Sequence, residues 1–444
     1  MNRAVGMISL GCAKNQVNAE QMLYLLREAG FSITDEATEA DLVIVNTCGF
    51  IDSAKQEAID AILSVGALKQ QGWQGKILVT GCLSQRYQSE ILTELPEVDG
   101  VLGTGNYADI VDAADRVLSG ETVERFSSID NPRVDAVPRI LTTPPHYAYL
   151  KIAEGCDNRC AYCVIPSLRG RFRSRPMEEL VAEAQALAKG GVKELIVVAQ
   201  DTSRYGLDLY GERLLHELLR RLCRIDGIHW IRVHYLYPDE MSDALIDTLA
   251  EEEKIVKYLD IPIQHVNDGI LRAMNRRGTR AELEALLRKL RDRIPGLVLR
   301  TSLITGLPGE GEKEFAELCE FLKAFRLERV GAFAFSPEEG TKAAAMEHPD
   351  ASVAQERAER IAELQSRIMD EYNASLLGEV TEAICDGYDT ERGMYFGRTY
   401  ADSPEIDGGV WFRSEAPLKT GEFAQVLIEG EEDGDLLGLR VEVR

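Results

Sequence analysis

Between about residue 140 and residue 370 the chain repeats one pattern about six times: a short apolar run, then an amphipathic stretch long enough for a helix. A strand–helix–strand rhythm of this kind makes the strands run parallel, with helices covering the sheet. The runs are Tyr147 to Ile152, Glu194 to Ala199, Trp230 to His234, Tyr258 to Ile263, Val298 to Ile304 and Val330 to Phe335, separated by helical patterns such as Pro176 to Ala188 and Arg280 to Arg291. Six units fall short of the eight that close a βα barrel. The expected fold is therefore a partial (β/α)6 barrel, open on one side, with its chemistry at the carboxyl ends of its strands.

The same rhythm occupies residues 1 to about 118. VGMISL, DLVIVNTCGF and KILVTGCL read as strands, followed by helices near Gln16 to Ala29, Ala54 to Leu68 and Ser84 to Leu95. Each unit carries one cysteine beside a glycine at the carboxyl end of its strand: Gly11-Cys12, Cys48-Gly49 and Gly81-Cys82. Parallel sheets bind ligands at that edge, so three thiols placed there can converge on one point. Chance recurrence of a small buried residue is the plainer alternative, but it does not explain why all three sit at the turn.

A second triad lies in KIAEGCDNRCAYCVIP, where Cys156, Cys160 and Cys163 fall within eight residues directly after the first barrel strand. Nine cysteines, an odd number, argue against a disulfide framework, and no run of about 18 apolar residues predicts a membrane span. The chain reads as cytosolic. Ferredoxins use a C-x2-C-x2-C-x3-C-P run and zinc ribbons two C-x2-C pairs, and neither matches. Three thiolates on a four-iron, four-sulfur cluster leave one iron open, which is what a catalytic metal keeps for substrate. Cys223, Cys319 and Cys385 have no partner at ligand spacing and are expected to be buried.

CDNRCAYC resembles the C-x3-C-x-aromatic-C motif of radical S-adenosylmethionine (SAM) enzymes. The resemblance implies that the open iron at Cys156, Cys160 and Cys163 chelates SAM, that Tyr162 lies near the adenine, and that reductive cleavage gives a 5′-deoxyadenosyl radical. SLGCAKNQVNAE, NTCGFIDSAKQEAI and TGCLSQRY are similar to the amino-terminal domain of the methylthiotransferases, which add CH3S to an unactivated carbon. That likeness implies a second 4Fe-4S cluster on Cys12, Cys48 and Cys82, and hence two clusters, SAM, an external electron donor and a sulfur source. One SAM would methylate sulfur held there, and a second would give the radical that abstracts hydrogen from the substrate. Gln200, Asp201, Gln264, Ser302 and Gly306, at the ends of the second, fourth and fifth strands, are the candidates for holding SAM.

Two branches of the family differ in substrate, an adenosine of tRNA or an aspartate of a small-subunit ribosomal protein. Gly11-Cys12-Ala13-Lys14-Asn15 departs from the G-C-Q-M-N of the tRNA branch, and Asp201 and His265 stand where that branch carries Asn and Ser. EGCDNRCAYCVIPSLRGRFRSR, QDTSRYG and IPIQHVNDGILRAMNRRGT resemble the ribosomal-protein branch, which implies methylthiolation at the β-carbon of an aspartate in small-subunit ribosomal protein twelve. Among Arg169, Arg171, Arg173 and Arg175, one or more is expected to engage a carboxylate of SAM or substrate, a solvated basic loop being the alternative.

Residues 375 to 444 contain short β-like runs punctuated by glycine and resemble the TRAM domain, a small antiparallel β-barrel that often binds RNA. Here sixteen Asp and Glu face six Lys and Arg, with an acidic block EGEEDGD at 429 to 435, in a chain whose net charge is −24. Nucleic-acid binding through this domain is electrostatically disfavoured and a basic ribosomal protein is the favoured partner. The expected organisation is a cluster domain at 1–118, a linker at 119–141, a radical SAM domain at 142–372 and a TRAM-like domain at 375–444. Outside this family, the remaining alternative is a two-cluster electron carrier without substrate chemistry.

Overall fold

The computed structural model describes residues 3–130 and 137–442. Strands β1 (Ala4–Ser9), β2 (Ser32–Ile33), β3 (Leu42–Thr47), β4 (Lys76–Gly81), β5 (Gly100–Leu102) and β6 (Val123–Arg125) form a parallel sheet in the order β2-β1-β3-β4-β5-β6. Helices α1 (Ala13–Glu28), α2 (Asp52–Gln70), α3 (Cys82–Tyr87), α4 (Glu90–Glu94) and α5 (Ile110–Leu118) cover it. β3 is buried throughout, and its side chains divide with the two-residue period of a strand. Leu42 and Ile44 enter the core beneath α1 and α5, whereas Val43 and Val45 enter a second core with Ala58, Ile62 and Val65 of α2.

The single helix expected over Ser84 to Leu95 is two, α3 and α4, parted at Gln88 with φ 48°. No glycine or proline announces that break, so the apolar periodicity ran through it. β5 and β6 have only three residues each, too few for a pattern to register. β6 carries the sheet past residue 118 into the expected linker, of which residues 131–136 lie outside the described residues. Further along that linker the chain straps across α1: the Ile140 amide donates to the Glu20 carbonyl, and Arg139 pairs with the Glu20 carboxylate at 2.7 Å.

The central sheet is built from β7 (Tyr147–Lys151), β10 (Glu194–Val198), β11 (Trp230–Val233), β12 (Ile255–Asp260), β13 (Val298–Thr305) and β14 (Arg329–Ala334), paired in parallel in chain order without closing. A two-stranded ribbon of β8 (Ala153–Glu154) and β9 (Arg173–Ser174) brackets the loop that bears the second triad. On β7 and β10, Ala148, Leu150, Leu195 and Val197 face the helical layer and join the largest core. The alternate residues face the concave side, where the missing barrel wall is replaced from elsewhere in the chain. Val17 of α1 packs on Tyr149, Ile196 and Val198.

From the other side comes the loop at 399–407 of the carboxyl-terminal domain. The Arg232 guanidinium donates to the Tyr400 carbonyl at 2.7 Å, and Arg329 donates to Asp402 at 2.8 Å. His234 meets Ser403 at 3.0 Å, and Tyr258 donates to Asp407 at 2.7 Å. Glu194, fully buried, is gripped by Arg232 at 2.9 Å and by Arg398 at 2.5 Å.

That domain is a closed barrel of β15 (Val380–Asp389), β16 (Met394–Thr399), β17 (Val410–Arg413), β18 (Phe423–Glu432) and β19 (Asp435–Arg440), in the order β15-β16-β17-β19-β18. It is not wholly antiparallel, because β17 and β19 pair in parallel. The acidic block is the tip of the β18–β19 hairpin, turned by Asp433 and Gly434 at φ 52° and 87°, as a two-residue Asp-Gly turn requires. Cys223 and Cys385 are buried as expected, and Cys319 is half-buried. Among the described residues no helix is long and apolar enough to cross a membrane.

Candidate active site with two cysteine triads

The three amino-terminal cysteines are brought together by the turns that follow β1, β3 and β4. Gly11 has φ 87°, and a Cβ there would lie 2.7 Å from Cys48 Cβ and 3.0 Å from its Sγ; a Cβ on Gly49 would lie 2.8 Å from the Leu83 amide nitrogen. Glycine at both positions is what lets three strand ends converge. Amide side chains pin them together: Asn15 Nδ2 donates to the Leu10 carbonyl at 2.8 Å and to that of Thr47 at 3.3 Å, and Asn46 Nδ2 donates to the Asn15 carbonyl at 2.9 Å.

The thiols sense one another across this space. Burial, then the neighbouring Cys82 and Cys12, push the Cys48 thiol up to about 11. Burial also raises Cys82, against the opposing Arg169 charge. Cys12 opens to solvent; crowding by surrounding atoms works upward, but the Lys14 and Arg169 charges and the backbone amides of Asn15 and Lys14 prevail and hold the thiol below its ordinary value.

The second triad sits on the loop between β8 and β9. Gly155 turns at φ 77°, where a Cβ would lie 2.0 Å from the Arg171 carbonyl oxygen. The Cys156 amide donates to the Gly170 carbonyl at 3.1 Å, and the Cys163 amide to that of Cys160 at 3.0 Å. Asn275 clamps the loop from outside, donating to the carbonyls of Asn158 and Arg159 at 3.2 and 2.9 Å. Cys160 Sγ lies 3.2 Å from the Tyr237 hydroxyl, and Arg276 stacks 4.1 Å over the Tyr237 ring. Burial raises Cys156 to about 11; burial, then Cys160, raise Cys163 as well.

A single short helix joins the triads. α6 (Ile165–Arg169) begins two residues after Cys163; its Leu168 and the preceding Val164 pack on Cys82. Arg169, at its end, donates through Nε to Cys82 Sγ at 3.2 Å, through Nη1 to Asn18 at 2.9 Å and Glu154 at 3.4 Å, and through Nη2 to Asn15 at 2.8 Å. Glu154 also accepts from Lys151 at 3.0 Å. Burial alone would raise its carboxyl, but Lys151 and Arg169 hold it at about 2.

Both donor sets suit a four-iron cluster: each offers three soft thiols close enough to influence one another, one for each of three irons, with the fourth iron left open. Among the described residues no three Cys, His, Asp or Glu side chains are grouped tightly enough for a single metal ion.

The SAM candidates separate into two groups. Tyr162 lies beside Cys160, Cys163, Tyr237 and Arg276. Gln200 donates to Glu154 at 2.8 Å and leaves its buried Oε1 without a partner. Gln264, at φ 69°, holds the end of β13 through its backbone amide, which donates to the Ser302 carbonyl at 2.9 Å, and Ser302 faces the concave side. Asp201 and Gly306 are engaged otherwise. The Asp201 carboxylate accepts from Asn158 at 2.7 Å and Ser203 at 2.5 Å, so it braces the cysteine loop. A Cβ on Gly306 would lie 2.3 Å from Ala354 Cβ, so this glycine admits the helix Ala351–Ser375 rather than a ligand. His265 is buried 3.3 Å from Glu310, which Arg357 of that helix also grips at 2.9 Å.

Two further arginines of the series brace the loop, and one is exposed. Arg173 donates to Asp130 and to backbone carbonyls, Arg175 to the Lys151 carbonyl and Glu183, and Arg171 is exposed. The sequence reading assigned no role to Arg276, Tyr237, Lys14 or the loop at 399–407. Lys14 and Arg276 lie inside motifs already noted, but a side chain's burial is not written in its neighbours.

A partial parallel barrel whose first strand leads into a C-x3-C-x-aromatic-C loop defines a radical SAM enzyme. The sequence matches the Radical SAM superfamily over residues 150–322, the Uncharacterized protein family UPF0004 over residues 4–103 and the TRAM domain over residues 377–441. The solved structure of the radical S-adenosylmethionine methyltransferase TsrM from Kitasatospora setae shares the fold at a TM-score of 0.57 and 14% identity, covering 87% of this chain and 82% of that one. The ribosomal protein uS12 methylthiotransferase RimO of Caldanaerobacter subterraneus is 48% identical over 437 residues, 98% of this chain and 99% of that protein. That of Pelotomaculum thermopropionicum is 49% identical over 441 residues, 99% of each. The chain belongs to the uS12 methylthiotransferase RimO family of radical SAM enzymes.

Proposed function

We propose that the chain adds a methylthio group to the β-carbon of an aspartate of ribosomal protein uS12, in the cytoplasm, drawing on an external electron donor and a sulfur source. The observation that carries this reading is the joining of two thiol triads by one five-residue helix. Cys156, Cys160 and Cys163 would hold one 4Fe-4S cluster, and Cys12, Cys48 and Cys82 the other. When bound, the clusters supply reductive cleavage of SAM at the first triad and a sulfur-carrying iron at the second.

The chain's own residues set the stage. Tyr162, Gln200, Gln264 and Ser302 line the place for SAM, with Asp201 and Gly306 fixing the loops that carry them. Arg276 and Tyr237 crowd Cys160 and keep that side dry. Val17 and the loop at 399–407 fill the open side of the barrel with buried side chains, which keeps water from that face of the sheet. The acidic carboxyl-terminal barrel, with its exposed hairpin tip, favours a basic protein partner over nucleic acid.

The test is anaerobic reconstitution with iron, sulfide, SAM and reductant, offering separately a peptide from the uS12 aspartate loop and a tRNA anticodon stem-loop with a prenylated adenosine. Mass spectrometry is expected to show a methylthio gain on the peptide alone. A gain on the RNA alone would overturn the assignment, and 5′-deoxyadenosine failing to appear would return the electron-carrier reading.

A further inference from the structure

We propose that Lys14 receives the side-chain carboxylate of the substrate aspartate and so fixes which carbon is presented to the chemistry. The inference rests on the methylthiotransferase reading and deepens it.

Lys14 lies in the first turn of α1, two residues after Cys12, and is only 7% exposed. Its Nζ lies 3.5 Å from the centroid of the Tyr235 ring. Among the described residues it has no carboxylate within ion-pairing distance. A buried ammonium without an anion is costly, and a ring face offsets only part of that cost. Tyr235 is itself held at φ 60°, an uncommon backbone for a non-glycine residue, and its amide donates to Asp260 Oδ2 at 3.3 Å. The Asp260 carboxylate, whose charge reaches Lys14 without pairing with it, is shared between this amide and Arg300, which donates to its other oxygen at 2.8 Å.

The other cations around the two triads are engaged. Arg169 spends its donors on Cys82, Asn15, Asn18 and Glu154. Lys151 pairs with Glu154. Arg276 donates to the Pro262 carbonyl and to Cys160 while stacked on Tyr237. Arg300 is committed to Asp260. Lys14 meets the Tyr235 ring and acts on the Cys12 thiol, but it differs from Lys151, Arg169 and Arg300 in pairing with no carboxylate among the described residues.

An aspartate carboxylate is the anion this substrate brings, and it is bonded directly to the β-carbon. A point charge gripping it fixes the reacting carbon one bond away, close to the sulfur-bearing triad at Cys12. A neutral base would leave the ammonium buried and unpaired, so the same residue discriminates against it.

The experiment uses the reconstituted full-length enzyme and two peptides of the uS12 loop, one with the target Asp and one with Asn, an isosteric neutral replacement. Binding is measured by fluorescence anisotropy, kcat/KM by mass spectrometry, and iron per chain in parallel. The parent enzyme is expected to bind the Asp peptide roughly tenfold or more tightly than the Asn peptide. In Lys14→Met and Lys14→Gln this preference is expected to fall to within about twofold, through weaker Asp binding alone, at unchanged iron content. Lys14→Arg, which keeps the charge, should restore it. An unchanged preference in both neutral variants overturns the proposal, as does loss of iron in both, which would make Lys14 a support for the Cys12 triad. Failure of the parent enzyme to modify the Asp peptide at all would instead count against the function proposed above.

Discussion

Arg169 shows how one side chain can hold two sites in register. It comes from the helix behind the second triad, yet it bonds to Cys82 of the first and to Asn15 and Asn18 of α1. Its Met variant has similar bulk and no donors, so Glu154 would lose one of its two cations and two amide oxygens would lose their partner. Removing one member of such a buried set costs about 3–5 kcal/mol. Chemical denaturation should register that loss, and iron analysis after reconstitution should fall by about half as the Cys12 triad fails to load. Retention of full iron content would show that the triads assemble independently. In the sequence this arginine is one of four, of which one or more is expected to engage a carboxylate of SAM or substrate, a solvated loop being the alternative. Its partners in the first triad's domain are not legible there, because Asn15 and Asn18 lie more than 150 residues away along the chain and Cys82 lies 87 away.

At the scale of elements, the strand–helix rhythm was legible because buried parallel strands are continuous apolar runs, and the glycine–cysteine turns were legible because each repeats one local geometry. Gln88, where the helix after Cys82 breaks, carried no such signal, and neither did three-residue β5 and β6. The pairing of β11 with the inserted loop was equally silent: His234 reads as a strand-end residue, yet it contacts Ser403 at 3.0 Å. Burial, then the charges of Arg232, Arg300 and Lys14, hold its imidazole well below the ordinary value. A histidine that stays neutral when folded contributes fully above its unfolded pKa of about 6.5, and that contribution drains away as pH falls below it. The stability difference between the parent chain and His234→Gln should therefore shrink by about 1.4 kcal/mol between pH 7.5 and pH 5.5, measured by denaturant unfolding. A difference independent of pH would show that the imidazole protonates in place.

Over the whole molecule, the carboxyl-terminal barrel is both a surface and a part. Its outer hairpin is exposed and acidic, while Arg398, Asp402, Ser403 and Asp407 are buried or nearly so against the central domain. Composition announced the first property; the second depends on a loop whose burial no periodicity encodes. A chain ended at residue 376 would break the buried Glu194–Arg398 and Arg329–Asp402 pairs and strip Arg232, still paired with Glu194, of its Tyr400 carbonyl acceptor. At about 3–5 kcal/mol for each broken buried pair, the loss approaches the whole stability of a typical protein, about 5–15 kcal/mol. The truncated chain is expected to aggregate or to lack a cooperative thermal transition. A transition within a few degrees of the full-length protein would mean that the domain is detachable.

The loop at 399–407 also dictates an order of events during synthesis. Domains emerging from the ribosome fold from the amino terminus onward, at roughly 5–20 residues per second. The central barrel is complete in sequence once Ala334 has emerged, but the residues that neutralise its interior arrive only with Arg398 and the loop beyond it. For several seconds the nascent barrel keeps its own Glu194–Arg232 and Asp260–Arg300 pairs but lacks Arg398 for Glu194 and Asp402 for Arg329. Filling of the barrel's open side waits for the loop at 399–407, made well after the last barrel strand.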